Sequence, residues 1–344
     1  MFTLPEKITS LAPYEIEGGC ARVRMDANES FLSPLPRDEE AMAAAAATIA
    51  LNRYPDPLAM DLCAAFGEAY HVDPALVTAG NGSDELISII AASLTQKGDT
   101  AVTTAPEFSM YAFYASLAET RCVPVMKGDD LKLDVDAALD IIKHENARVF
   151  LFSNPCNPTS LGLTRNDVRR LLTGTDALVV LDEAYMDFWD QSLLPEVGQY
   201  DNLIILRTCS KALGLAALRV GFAVANPALT KALGAAKSPY NVNAVSQAMA
   251  TVALRNPMYR EAYVPLIVQS RDMLAEGLRA QGWRVLNSVT NFVTVPTDNA
   301  HEIAARLAAR GVRVRAVGNL LRVTASDEED NKEFLRLMEE WKGE

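Results

Sequence analysis

The sequence predicts an α/β fold: a large unit on a mostly parallel, three-layer sheet, then a smaller α+β unit. Three observations carry this expectation. Short runs that are apolar throughout, at Val149–Ser153, Ala177–Leu181 and Leu203–Leu206, alternate with stretches of helical spacing. Strands with no polar face need cover on both sides, which helices on a parallel sheet provide. After about Ala235 the alternation gives way to long helical spacing and a hairpin-like pattern.

The elements follow in order. Ala43–Ala47 is a run of the best helix former. Asp84–Leu94 reads as a helix opened by Asn81-Gly82-Ser83, and Thr100–Thr104 as a strand. The three apolar runs supply further strands, with a helix over Asn166–Leu172 and Thr164 as its N-cap. Further on, Met258–Gln281 has helical spacing and Asn291–Val295 reads as a strand. His301–Arg310 is a helix stopped by Gly311. Val312–Val317 and Leu320–Thr324 read as a hairpin around Gly318-Asn319, and Glu328–Trp341 as a closing helix. No internal repeat is found.

Composition narrows the function. The 344 residues are 49% hydrophobic, enough for a large core in two domains. A net charge of −12 repels nucleic acid, so that partner class is set aside. No apolar stretch approaches the roughly 18 residues of a membrane span, and the first ten residues lack the pattern of a signal peptide. Cys20, Cys63, Cys122, Cys156 and Cys209 are scattered without a CxxC, and His71, His144 and His301 have no ligand spacing. No disulfide framework or metal site is expected, and a reduced, cytoplasmic setting fits.

Ligands bind beside the C-terminal ends of strands in such sheets, and the informative motifs fall there. Asp182 ends one apolar run, Lys211 follows the next in Arg207-Thr208-Cys209-Ser210-Lys211, and Arg219 comes shortly after. A lysine just past a buried strand can form a Schiff base, although most lysines simply lie at the surface. A buried carboxylate needs a cationic partner. A pyridinium nitrogen is such a partner for Asp182, and a solvent-exposed strand tip is the alternative. Together the three residues supply the protein's side of pyridoxal phosphate (PLP) chemistry. Gly80-Asn81-Gly82-Ser83-Asp84-Glu85 can cradle a phosphate at a helix N-terminus, or be an ordinary capped turn. In Asn154-Pro155-Cys156-Asn157-Pro158 the prolines fix the backbone. Asn157 can then donate to a cofactor ring oxygen, or the loop is merely rigid. Tyr185 follows three residues after Asp182 and can bond a ring hydroxyl. Phe108 can stack on a planar ring or pack in the core.

These motifs in this order resemble a fold type I, aspartate-aminotransferase-like PLP enzyme, within it the histidinol-phosphate aminotransferase branch. The matching stretches are Ala27-Asn28-Glu29, Arg53-Tyr54-Pro55-Asp56, Gly80–Glu85, Asn154–Thr159, Asp182–Tyr185, Arg207–Gly221, Pro239–Asn243 and Leu321-Arg322-Val323-Thr324. They span nearly the whole chain. The resemblance implies Lys211 as the Schiff-base lysine and proton shuttle, and Asp182 on the pyridine nitrogen. It implies Asn157 and Tyr185 on the ring hydroxyl and Phe108 on the ring face. Gly82, Ser83, Asp84, Ser210 and Arg219 lie where the family holds the cofactor phosphate, Asp84 through its backbone amide. Tyr54 would reach the phosphate of a second subunit, making a homodimer with shared sites. Arg322, helped by Arg315, would bind the substrate's anionic end, with Asn28 also in the substrate pocket. The expected division is an N-terminal arm over 1–30 packing with the small domain, a PLP-binding domain over 31–235 and a small domain over 236–344.

Two departures bear on the substrate. Phe31 stands where the branch usually has tyrosine, and Pro158-Thr159 is followed by Ser160-Leu161-Gly162 rather than glycine. The expected reaction moves an amino group from a small-molecule donor, histidinol phosphate first, to a 2-oxo acid such as 2-oxoglutarate. The rivals are an aminotransferase for aromatic or other amino acids, a PLP-dependent decarboxylase of a phosphorylated amino acid, and a regulatory ligand-binding module without turnover.

Overall fold

The apolar runs of the sequence become the middle of a seven-stranded sheet. The computed structural model describes residues 2–9, 11 and 21–342. Its strands in chain order are β1 (Val23–Arg24), β2 (Val77–Asn81), β3 (Thr100–Ala105), β4 (Arg121–Met126), β5 (Val149–Ser153) and β6 (Leu178–Asp182). They continue with β7 (Leu203–Thr208), β8 (Val220–Ala225), β9 (Phe292–Pro296), β10 (Val312–Arg313), β11 (Arg315–Val317) and β12 (Leu320–Thr324). The large sheet has the order β2-β8-β7-β6-β5-β3-β4. Strands β7, β6, β5, β3 and β4 pair in parallel, and β8 alone runs against both its neighbours. The start of β8 therefore lies on the edge where the other six strands end.

Strand alternation explains the three layers. Phe150, Phe152, Val179, Leu181, Leu203 and Ile205 point into one cluster with the helices Met60–Tyr70, Arg165–Thr173 and Ala244–Arg255. Val149, Leu151, Val180, Ile204 and Leu206 point the other way, onto Leu86, Ile87 and Ile90 of the helix Gly82–Leu94. Each such side chain withdrawn from water contributes about 1.5–3 kcal/mol, so both faces hold the site edge rigid. Thr164 caps its helix reciprocally with Asp167: its hydroxyl accepts the Asp167 amide at 3.2 Å, and the Asp167 carboxylate accepts the Thr164 amide at 3.3 Å.

A second core gathers Leu274, Leu278, Val293, Val295, Ile303, Leu321, Val323, Phe334 and Met338, with Val23 and Met25 from the N-terminal side. Ala250, Ala253, Leu254, Tyr259 and Tyr263 still pack into the large core. The change of core thus falls between Tyr263 and Leu274, well after the change of character at 235. Helical spacing marks a buried face without marking which core buries it.

One expectation needs correction. Only β11 and β12 form the hairpin. β10 pairs in parallel with β1 instead, and Val314 between β10 and β11 is buried in the second core. The segment Met258–Gln281 opens with a π-turn at Tyr259–Tyr263 before the α-helix Val264–Ala280. Pro265, which has no amide hydrogen, sits in that helix's first turn.

Candidate active site

Asp182, the last residue of β6, is 4% exposed. The Tyr111 hydroxyl donates to its Oδ2 at 2.8 Å and the Ala184 amide to its Oδ1 at 3.0 Å. Burial pushes the carboxyl up to about 7; the two donors oppose this, while Asp84 and Glu107 add to it. Among the described residues no cation forms an ion pair with Asp182. A buried carboxylate held in place and left without a counter-charge suits a protonated ring nitrogen.

Lys211 follows β7, the strand next to β6. Its Nζ donates to the Ala27 carbonyl at 3.0 Å and lies 5.9 Å from the centre of the Tyr185 ring. Burial, then the charges of Arg322 and Arg219, pull its amine down to about 8 against the opposing pull of Glu29 and Asp84. A sizeable fraction is then neutral at physiological pH, as a nucleophile or proton acceptor requires.

A third group forms where β2 and β8 meet. Gly82 adopts φ +79°, and a Cβ there would lie 2.6 Å from Arg219 Nη2. A Cβ on Gly221 would lie 2.4 Å from the Ser83 amide nitrogen. Both positions are thus restricted to glycine by close approach. Arg219, just before β8, donates to Ser210 Oγ at 3.4 Å and to Asp84 Oδ2 at 3.3 Å. The amide-rich N-terminus of the helix Gly82–Leu94 and one guanidinium therefore face the same space, a cradle that fits a phosphate.

The second core supplies the opposite wall. Arg322, on β12, donates through Nη1 to Asn157 Oδ1 at 2.6 Å and through Nη2 to the Asp26 carbonyl. Asn28 has left-handed φ of 53°, which asparagine tolerates, and donates to Tyr185 Oη at 2.8 Å. Burial pushes the Tyr185 hydroxyl up to about 12, so it stays protonated. Arg315 sits opposite Arg322 in the β11–β12 ladder and shares its face. Phe108 is half-buried and meets Tyr111 edge-on at 5.5 Å. Tyr54 differs from the rest: it is 81% exposed and stacks on Tyr240 at 4.6 Å.

Sequence reasoning thus located Lys211, Asp182, Asn157, Tyr185, Asn28, Arg322 and the Gly82–Arg219 group around one edge. It missed Tyr111, whose signal was available: Tyr111 lies three residues beyond Phe108, one helical turn on. It also missed Glu107 and Lys127, an ion pair at 3.7 Å with both side chains nearly fully buried. Their pairing joins two loops that no local pattern connects.

Comparison with known proteins agrees with this geometry. Residues 23–337 match the family model for aminotransferase class I and II. The chain is 34% identical over 334 residues to a histidinol-phosphate aminotransferase of Clostridium novyi, covering 95% of this chain and 94% of that protein. It is 34% identical over 347 residues to one of Caldanaerobacter subterraneus, covering 98% of each. The crystal structure of histidinol-phosphate aminotransferase from Sinorhizobium meliloti, in complex with pyridoxal-5'-phosphate, superposes with a TM-score of 0.90 at 26% identity. That match covers 98% of this chain and 96% of that one.

Proposed function

Because this chain belongs to the class I and II aminotransferases and is a PLP-dependent aminotransferase, we propose that it moves the amino group of histidinol phosphate to a 2-oxo acid such as 2-oxoglutarate. The observation that carries this reading is the placement of Lys211 and Asp182 on neighbouring strand ends, facing the Arg322 guanidinium from the second core. The extent and identity of the match to histidinol-phosphate aminotransferases support the donor.

The residues present fit PLP at each of its ends. Gly82, Ser83, the Asp84 amide, Ser210 and Arg219 would hold its phosphate, Phe108 its ring face, and Asn157 and Tyr185 its ring oxygen. Lys211 would hold it covalently. When bound, PLP supplies an electron sink that stabilises negative charge at the substrate Cα. The Asp182 carboxylate would hold a proton on the pyridine nitrogen, and a cation there would offset the burial that raises the carboxyl's pKa. The lowered Lys211 amine, whose Nζ donates to the Ala27 carbonyl at 3.0 Å, would take up the substrate Cα proton. Arg322 clamps the far anion of the substrate, a phosphate in one half-reaction and a carboxylate in the other, and Arg315 adds charge on the same face. Asn28 anchors Tyr185 and borders the substrate space.

The reading extends to a cytoplasmic homodimer in which Tyr54 reaches the partner's cofactor. Its support is an aromatic pair, Tyr54 and Tyr240, left on the open surface beside exposed Leu58 and Met60. A second donor class, aromatic amino acids, is favoured by Phe31, which packs with Tyr185, Phe292 and Ile267 and offers no hydroxyl.

The test is kcat/KM for histidinol phosphate beside phenylalanine, tyrosine and O-phosphothreonine. Histidinol phosphate should lead by at least about tenfold, roughly 1.4 kcal/mol of transition-state binding. A smaller lead removes the donor assignment and leaves the aminotransferase.

A further inference from the structure

Glu107 lies behind the site, between the end of β3 and Phe108. Every neighbour its carboxylate meets is a donor. Thr104 Oγ1 donates to Oε2 at 2.6 Å, the Phe108 amide to Oε1 at 3.0 Å, the Ser153 amide to Oε2 at 3.3 Å, and the Ser153 hydroxyl to Oε1. The Lys127 ammonium stands 3.7 Å from Oε2, and also donates to the Pro106 carbonyl at 2.7 Å and to Cys156 Sγ at 2.9 Å. Only a group that accepts on both oxygens satisfies all of these. A glutamine would turn an NH2 toward donors and lose the charge facing Lys127.

The chain of bonds continues toward the substrate space. Ser153 Oγ, while donating to Glu107, accepts the Asn157 amide at 3.1 Å. Asn157 Oδ1 then accepts Arg322 Nη1 at 2.6 Å. The same loop is tied to β6, because the Asn154 amide donates to the Asp182 carbonyl at 2.9 Å. Glu107 is therefore the buried end of a relay whose other end is the guanidinium facing the substrate.

We propose that Glu107 is a positioning residue for recognition of the substrate's anionic end: through Ser153 it fixes the Asn157 loop, and through Asn157 it sets the angle of the Arg322 fork. This rests on the reading of Arg322 as the anion clamp. A fork binds a carboxylate or phosphate in two parallel bonds only when its plane is set beforehand. Glu107 does this without touching substrate or cofactor. Lys127 keeps the carboxylate compensated in a buried place.

The test uses the PLP-loaded enzyme and glutarate, a dicarboxylate that cannot be transaminated, with its dissociation constant measured by calorimetry. Glu107→Gln and Ser153→Ala should each weaken glutarate binding by about tenfold. The double variant should lose no more than about threefold beyond the weaker-binding single variant, because both act through one chain of bonds. A role in fold stability alone would shift the melting temperature and leave glutarate affinity within about twofold of wild type, and that result overturns the proposal. Losses that multiply in the double variant overturn it too. If Glu107→Gln fails to fold, Ser153→Ala decides alone by the same criterion. A wild-type enzyme that does not bind glutarate at all defeats the reading of Arg322, and the relay with it.

Discussion

Asp182 should destabilise the cofactor-free protein at neutral and alkaline pH, and Asp182→Asn should remove that cost. The folded chain holds this carboxyl at about 7 against an ordinary value of 3.8. Between those values the folded protein keeps a proton that the unfolded chain has released. The group's contribution is thus full below about pH 4 and is lost as pH rises to 7. Each pH unit crossed costs about 1.36 kcal/mol. From pH 5 to pH 8 the titration covers about two units, so wild-type apoprotein should lose about 2–3 kcal/mol relative to Asp182→Asn. Asparagine fills nearly the same volume and can still accept from Tyr111 or Ala184. Urea unfolding of both apoproteins at pH 5 and pH 8, followed by far-UV circular dichroism, measures the difference. Other titrating groups cancel in it. A difference that stays constant within about 0.5 kcal/mol across the two pH values refutes the reasoning. With PLP bound the advantage should reverse, since the ring nitrogen then partners the charge. Turnover of Asp182→Asn should fall at least about a hundredfold, or about 2.7 kcal/mol.

The lowered Lys211 amine predicts that covalent uptake of PLP by the apoprotein accelerates with pH about a midpoint near 8; a rate flat from pH 6.5 to 9.5 removes the assignment, as does borohydride labelling of a different lysine. Gly82→Ala forces a left-handed alanine, costing about 1–2 kcal/mol, and drives a methyl into the Arg219 guanidinium; PLP affinity should drop about tenfold or more by fluorescence titration, and an unchanged affinity would sink the cradle. Mixing inactive Lys211→Ala chains with inactive Tyr54→Phe chains should restore activity in heterodimers through one intact site; heterodimers that stay inactive exclude the shared-site arrangement.

Much of this was legible because buried parallel strands leave uninterrupted apolar runs, and β5, β6 and β7 are such runs. Asp182 and Lys211 stood out by ending or following them. β8 was not legible. Its Gly221, Ala223 and Ala225 are small, and Gly221 is small because Ser83 packs against it. β4 was hidden by Pro124 inside it and by its half-exposed edge position, where proline is tolerated. The Glu107 relay was invisible for a different reason. Its members are distant in sequence, and a glutamate beside an aromatic residue looks like any surface acid until Lys127 and Ser153 close around it.

The two cores divide the work of the site, and this makes its properties separately heritable. Residues that would grip the cofactor of their own subunit lie at strand ends of the large sheet or in the turns and helix start beside them, while Arg322, Arg315 and Asn28 belong to β12, β11 and the N-terminal segment packed with the second core. Substitutions in the second core that spare Arg322 and Asn28 would therefore retune which amine is accepted while the chemistry of amine exchange stays intact. A lineage built on this plan can change its diet without relearning its reaction.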